Sequence, residues 1–224
     1  MYLHIPGLLN AEQLDQIEPV LSGATFVDGS LTAGNLTKPI KKNLELDRDK
    51  TEKSGELKSL VSNALWRNTL FRAAAMPTRI TPPIFNKHET GMFYGPHTDN
   101  PITGRTPGVR ADLAVSIFLS DPEKYEGGAV AIRTDVGEIK FRLPRGDALV
   151  YPSGAIHTIE EITSGTRYAA VLWLQSVVVD SNQRQILFEL DRAAVMVNEK
   201  APQSEESRLL IKAYGNLMRM WAAL

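Results

Sequence analysis

The chain has 224 residues, 43% hydrophobic and 23% charged, with a formal net charge of −1. That balance suits one soluble core and gives no general electrostatic reason to bind nucleic acid or an anionic membrane surface. Cysteine is absent, which excludes disulfides and thiolate metal sites and leaves nitrogen and oxygen as the available metal donors.

The N-terminal stretch MYLHIPGLLNAEQLDQIEPV lacks the long apolar core of a signal peptide, and no run approaches the roughly 20 apolar residues of a membrane span. A cytoplasmic protein is therefore expected. His4, ahead of Ile5-Pro6-Gly7, reads as structural. Asn10 is placed to cap an amphipathic helix in which Leu14, Ile17 and Leu21 recur at helical spacing. From Gly23 to Asp49 the text turns to Gly, Thr, Lys and Asn, and short strands joined by loops are expected, with Lys41 and Lys42 as solvated charges. Within it, Gly29 to Asn43 has the composition of either a mobile cover or an ordinary connection. Ser54 to Ala74 reads as one helix with an apolar stripe through Leu57, Leu60, Val61, Ala64, Leu65, Leu70 and Phe71, and Trp66 reads as packing.

After Met76-Pro77 come eight strand-like segments, from TRITPPIFNKHET to RYAAVLWLQSVVV, which predict a sandwich or jelly roll. Gly127-Gly128, Asp135 to Gly137 and Ser164-Gly165 are the expected turns, the last between the final two strands. The end of the chain reverts to helices, SNQRQILFELDRAAVMV and RLLIKAYGNLMRMWAAL, around a polar break. These are expected to buttress one face of the barrel with the N-terminal pair, or, through Leu209, Leu210, Ile211, Leu217, Met218, Met220 and Trp221, to form a homo-oligomer contact. The division expected is 1–77, an N-terminal region packing on the barrel; 78–178, the core; and 179–224, a C-terminal helical region.

Chemistry concentrates in GMFYGPHTDN and LVYPSGAIHTIEEIT. In extended chain, residues i and i+2 share a face, so His97 and Asp99 can offer a nitrogen and an oxygen to one point. An HxD pair near a turn is more often only a surface polar pair. A second imidazole, His157, completes two histidines and one carboxylate, a set that leaves one side of an octahedral metal open and is the ligand arrangement of non-haem Fe(II) oxygenases. A zinc hydrolase with the same ligands would need a general base, and no HExxH-type motif offers one.

Several motifs in order carry a resemblance: DGSLTAG, IKKN, FNKHETGMFYGPHTDN, FLSDPEKYEGGAV, RGDALVYPSGAIHTIEEITSGTRYAAVLWLQS and YGNLMRMWA. The chain resembles the Fe(II)- and 2-oxoglutarate-dependent dioxygenases and, among them, the bacterial PKHD-type hydroxylases related to prolyl and lysyl hydroxylases. The resemblance implies a mainly β fold with α, a double-stranded β-helix (jelly-roll) core flanked by N- and C-terminal helices. It further implies that His97, Asp99 and His157 ligate Fe(II) and that Arg167 binds the distal carboxylate of 2-oxoglutarate. The implied reaction hydroxylates an unactivated C–H of a peptidyl or small-molecule substrate with O2, releasing succinate and CO2, with L-ascorbate as auxiliary reductant. A carboxylate at 99 favours hydroxylation, since halogenating relatives usually lack it. A noncatalytic metal- and 2-oxoglutarate-binding sensor on the same barrel is the alternative. The chain departs from the pattern at His88, where prolyl-hydroxylase-like sequences commonly carry a tyrosine touching the cosubstrate, at Ala129 in GGAV, and at Val179. His88 is held as a candidate near the cosubstrate and Tyr94 as a candidate lining residue, whereas Trp173 either closes the barrel or borders the pocket, with packing the favoured reading.

Overall fold

A computed structural model of the chain describes residues 1–104 and 107–223. In chain order the N-terminal part comprises β1 (Leu3–Ile5), α1 (Ala11–Gly23), β2 (Phe26–Asp28), β3 (Lys41–Lys42), β4 (Leu44–Leu46), α2 (Ser54–Arg67) and α3 (Thr69–Ala75). The middle holds β5 (Pro77–Ile80), β6 (Ile84–Glu89), β7 (Phe93–His97), β8 (Ile102–Thr103), β9 (Val109–Arg110), β10 (Leu113–Phe118), β11 (Tyr125–Gly127), β12 (Val130–Thr134), β13 (Gly137–Phe141), β14 (Ala148–Pro152), β15 (His157–Ile159) and β16 (Ile162–Ser176). Helices α4 (Ser181–Lys200) and α5 (Glu205–Trp221) close the chain; Leu224, the last residue of the expected terminal helix, lies outside the described residues. No helix among the described residues is long and apolar enough to cross a membrane.

Two antiparallel sheets form the jelly-roll core. The larger runs β1-β14-β10-β16-β6-β4-β2, with β5 and β11 also pairing to β16, and the smaller runs β13-β12-β15-β7-β3. Alternation along each central strand of the larger sheet divides its two faces. Leu113, Val115 and Ile117 of β10 and Ala170, Leu172 and Leu174 of β16 join the cluster built with Leu14, Ile17 and Leu21 of α1 and Leu57, Val61 and Leu65 of α2. The intervening Ala114 and Phe118, with Leu149 and Tyr151 of β14, meet Val130, Ile132 and Ile159 of the smaller sheet. Strand β10 is therefore buried at every position because it is covered on both sides.

Asn10 caps α1 as its sequence predicts, accepting from Gln13 N at 2.9 Å. His4 Nε2 donates to Asp147 Oδ2 at 2.6 Å and ties β1 to the start of β14. The single helix expected over Ser54 to Ala74 is two. Asn68 has extended backbone angles and its side chain caps the second helix, accepting from Phe71 N at 2.8 Å. Trp66 is 39% exposed and so contributes little to the core. Asp135 and Val136 make the β12–β13 hairpin, and Gly127 and Gly128 both take positive φ. Ser164-Gly165 does not separate strands: the turn falls at Glu160-Glu161, and β16 continues through Gly165, which has φ +79 and pairs with Tyr125. A Cβ there would stand 2.3 Å from Lys124 O, so glycine lets β11 lie directly against β16. Of the C-terminal helices, α4 packs against α3, the second part of the N-terminal helical segment. Both C-terminal helices pack through Leu187, Tyr214, Leu217, Met218 and Trp221 on Met76 and Val178 as a separate cluster.

Candidate active site

Strand pairing brings the two metal-type histidines together. His97 ends β7, His157 begins β15, and the two are directly opposed in the ladder, with ring centroids 4.2 Å apart. Asp99 lies just beyond β7, its N–H donating to Ser153 O at 3.1 Å, which turns the carboxylate back toward both rings. Asp99 Oδ1 is 4.0 Å from His97 Nε2 and 3.8 Å from His157 Nε2, and one donor atom from each residue falls within 4.8 Å of the others. Each imidazole also has a backbone partner: His97 Nδ1 lies 2.8 Å from Gly95 O and His157 Nδ1 3.0 Å from Ala155 O. Nδ1–H donating to those carbonyls leaves both Nε2 lone pairs for the shared point. Burial, with His157 second, lowers the His97 pKa to about 4, and burial pushes the Asp99 carboxyl up. The Tyr94 ring stacks on His97 at 3.5 Å and 14°, and Tyr151 meets His157 edge-on at 5.0 Å.

These residues line a cavity of about 380 Å³ that also receives His88 and Arg167. Its other wall is made by residues of the larger sheet set beside core-facing ones: Glu45 before Leu46, Asn86 after Phe85, Ser116 between Val115 and Ile117, and Arg167 beside Tyr168, with His88 two residues beyond Asn86. His88 and Arg167 are paired across β6 and β16. Arg167 is 2% exposed, its Nε has no hydrogen-bond partner among the described residues, and burial lowers its proton affinity. Both His88 nitrogens are likewise enclosed without a partner, and burial, then Arg167, holds that imidazole down at about 3. His88 is consequently neutral at pH 7.

The structure corrects the expectation for Lys41. Lys41 is not a solvated charge: its side chain is 9% exposed, and its Nζ donates to Glu45 Oε1 at 2.6 Å and Thr32 Oγ1 at 2.8 Å, on the cavity wall and 5.4 Å from the Tyr94 ring centre. Trp173 borders the cavity while packing against the inner core. Glu45, Asn43 and Asn86 went unremarked because short strands carry too little alternation to reveal a face. Glu45 and Asn86 each adjoin one core residue, Leu46 and Phe85, and that single neighbour is their signal. Thr32, Ala33, Gly34 and Thr37 also reach the cavity, so the segment after β2 forms part of its boundary.

Comparison with known proteins agrees with this geometry. Residues 83–175 match the 2OG-Fe(II) oxygenase superfamily and residues 181–223 the PKHD-type hydroxylase C-terminal domain. A PKHD-type hydroxylase of Thermosynechococcus vestitus is 40% identical over 225 residues and one of Acinetobacter baumannii (strain ATCC 17978) 38% identical over 228, each alignment covering 100% of both chains. Among solved structures, a Trichoplax adhaerens prolyl hydroxylase in complex with a hypoxia inducible factor peptide fragment aligns with TM-score 0.56 and 20% identity, over 83% of this chain and 86% of that one. A Pseudomonas putida prolyl-4-hydroxylase aligns with TM-score 0.54 and 14% identity, over 78% and 92%. These two likenesses speak to the fold, while the full-length identities settle the kinship: the chain belongs to the PKHD-type hydroxylases of the 2OG-Fe(II) oxygenase superfamily.

Proposed function

We propose that this enzyme is an Fe(II)- and 2-oxoglutarate-dependent hydroxylase of an unactivated C–H, with O2 as oxidant and succinate and CO2 as coproducts. The observation that carries the reading is Arg167: a guanidinium 2% exposed, on the wall of the cavity that holds His97, Asp99 and His157, with no protein partner for its Nε. An uncompensated buried cation costs several kcal/mol, so its retention calls for an anionic ligand. A carboxylate matches the planar fork of donors. The donor set also fits ferrous ion: two neutral imidazole nitrogens, and a carboxylate whose Oδ2 is enclosed without a protein partner. Bound together, the metal and the 2-oxo acid supply the oxidising equivalent drawn from O2.

The chain's own residues bind, orient and enclose. Arg167 holds the remote carboxylate, and His88, neutral and beside it, offers one N–H to the cosubstrate. Tyr94 fixes the plane of His97 by stacking. Lys41, Glu45 and Thr32 form a polar wall on the substrate side, and the segment through Thr37 covers it. A groove of about 620 Å³ lined by Leu46, Pro82, Pro83 and Phe85 shares Thr32, Glu45, Ile84, Thr103 and Trp173 with the iron cavity. That continuity favours a substrate with a portion extending beyond the reacting carbon, a peptidyl side chain or an elongated small molecule. L-Ascorbate belongs to the proposal as auxiliary reductant.

The test is anaerobic titration of metal-free protein with Fe(II) and 2-oxoglutarate, following the visible metal-to-ligand charge-transfer band. The expected band requires both ligands and is lost in Arg167→Ala. Bound iron without a band on adding 2-oxoglutarate overturns the reading.

A further inference from the structure

A second orphaned group lies near Arg167 and outside the residues that line the cavity. Strand β11 pairs with β16 at Gly165, and this carries Tyr125 into the same enclosed end of the barrel. Tyr125 is 2% exposed, and its hydroxyl has no hydrogen-bond partner among the described residues, as is true of Arg167 Nε. The two side chains converge over Gly128: a Cβ built there would stand 3.0 Å from Arg167 Cδ and 3.3 Å from Tyr125 Cε2. Arg167 lines the cavity and Tyr125 does not. The phenyl ring of Phe118, 5.3 Å from Arg167 Cζ, adds apolar packing to the guanidinium, while Arg142 lies 4.8 Å from the Tyr125 ring centre and donates to Tyr125 O, fixing β11 at its start.

A buried hydroxyl without a partner lowers stability, and phenylalanine would fill the same apolar space without that loss. The hydroxyl and the Nε–H are complementary, one able to accept and the other needing to donate, and the phenol already raises the guanidinium's affinity for its proton. We propose that Tyr125 is a positioning residue of the anion subsite: its phenol oxygen accepts the Arg167 Nε–H in the liganded enzyme and fixes the plane in which the terminal amino groups meet the distal carboxylate of 2-oxoglutarate. This rests on the role given to Arg167 above. Gly128 leaves room for this arrangement: its φ is +64, and a Cβ there would meet Ile162 Cδ1 at 2.3 Å before Arg167 and Tyr125.

Tyr125→Phe tests the proposal. Dissociation constants for 2-oxoglutarate are read from the charge-transfer band of the anaerobic Fe(II) protein, with Mn(II) affinity by electron paramagnetic resonance and melting temperature as controls. The expected result is about a tenfold weaker 2-oxoglutarate complex, with Mn(II) affinity unchanged and melting temperature unchanged or higher. In an Arg167→Lys background, which retains charge but has no Nε–H, Tyr125→Phe is expected to have no further effect. Equal 2-oxoglutarate affinity in wild type and Tyr125→Phe overturns the proposal, as does a loss of the same size in both backgrounds or a parallel loss of Mn(II) binding. A wild-type protein that gives no band overturns instead the role assigned to Arg167.

Discussion

The state of His88 makes a prediction that needs no substrate. Burial, followed by Arg167 and Lys41, lowers its pKa to about 3, whereas an unfolded histidine titrates near 6.5. Between those values the unfolded chain binds a proton that the folded chain refuses, so stability rises with pH through this window and is lost as pH falls from 6.5 toward 3. Moving from pH 7 to pH 5 protonates the unfolded imidazole but not the folded one, which costs the folded state about 2 kcal/mol. His88→Gln removes the titration and retains a polar side chain. Urea unfolding of the metal-free wild type and variant at both pH values is the assay. The depressed titration of His97 is common to both proteins and subtracts out. The wild type should lose about 2 kcal/mol more than the variant over this interval. Equal losses would mean that the folded protein accepts the proton at His88, and the account of a neutral imidazole beside Arg167 would fall.

Three further outcomes follow from the cavity. Arg167→Met, apolar and of similar length, should abolish the 2-oxoglutarate band yet raise metal-free stability by about 1–4 kcal/mol in urea, because it removes an unmatched buried charge; a less stable variant would show that the guanidinium is satisfied within the protein. Lys41→Met alone leaves Glu45 buried without its cation and should cost about 3–5 kcal/mol, most of it recovered in Lys41→Met/Glu45→Leu. If the double variant is as unstable as the single, the pair does not act as a unit. Asp99→Ala should remove metal-dependent stabilisation, which for the wild type amounts to about 2.7 kcal/mol at Mn(II) a hundredfold above its dissociation constant. Persistence of that gain on thermal unfolding with Mn(II) would place the metal elsewhere.

Much of this arrangement was legible in the sequence because the relevant signals are local. The HxD spacing, the second histidine in its own strand-like run, and the arginine after it all lie in segments with clear alternation, and strand pairing does the rest by opposing His97 to His157. The capped α1 is equally local, since Asn10 and Gln13 sit one turn apart. What sequence hid depends on partners remote in the chain. Nothing near Lys41 reveals that β3 will lie against Tyr94 and leave the ammonium enclosed with Glu45 and Thr32. The split at Asn68 was readable in principle, because asparagine is a good cap and a poor helix-interior residue, but the continuing apolar stripe outweighed it. Ser164-Gly165 misled for a different reason: its positive φ serves a close strand crossing instead of a chain reversal.

Apart from Thr51, every residue with an unpaired buried polar side-chain atom among the described residues lines the cavity or, as Tyr125, lies near Arg167 of its wall. Such groups reduce stability wherever they are placed, so their concentration at one end of the barrel locates the places where ligands are to supply the missing partners. The same strands offset this cost on their other face. Phe85 stands between Ile84 and Asn86, Val115 and Ile117 flank Ser116, and Leu46 follows Glu45, with Phe85, Val115, Ile117 and Leu46 all in the helix-facing apolar cluster. A period of two thus lets one strand hold the scaffold with alternate residues while the residues between them remain free for chemistry. Helices α1 and α2 act on the site through that division: by covering the outer face of the larger sheet they stabilise strands whose inner face carries the polar groups of the cavity.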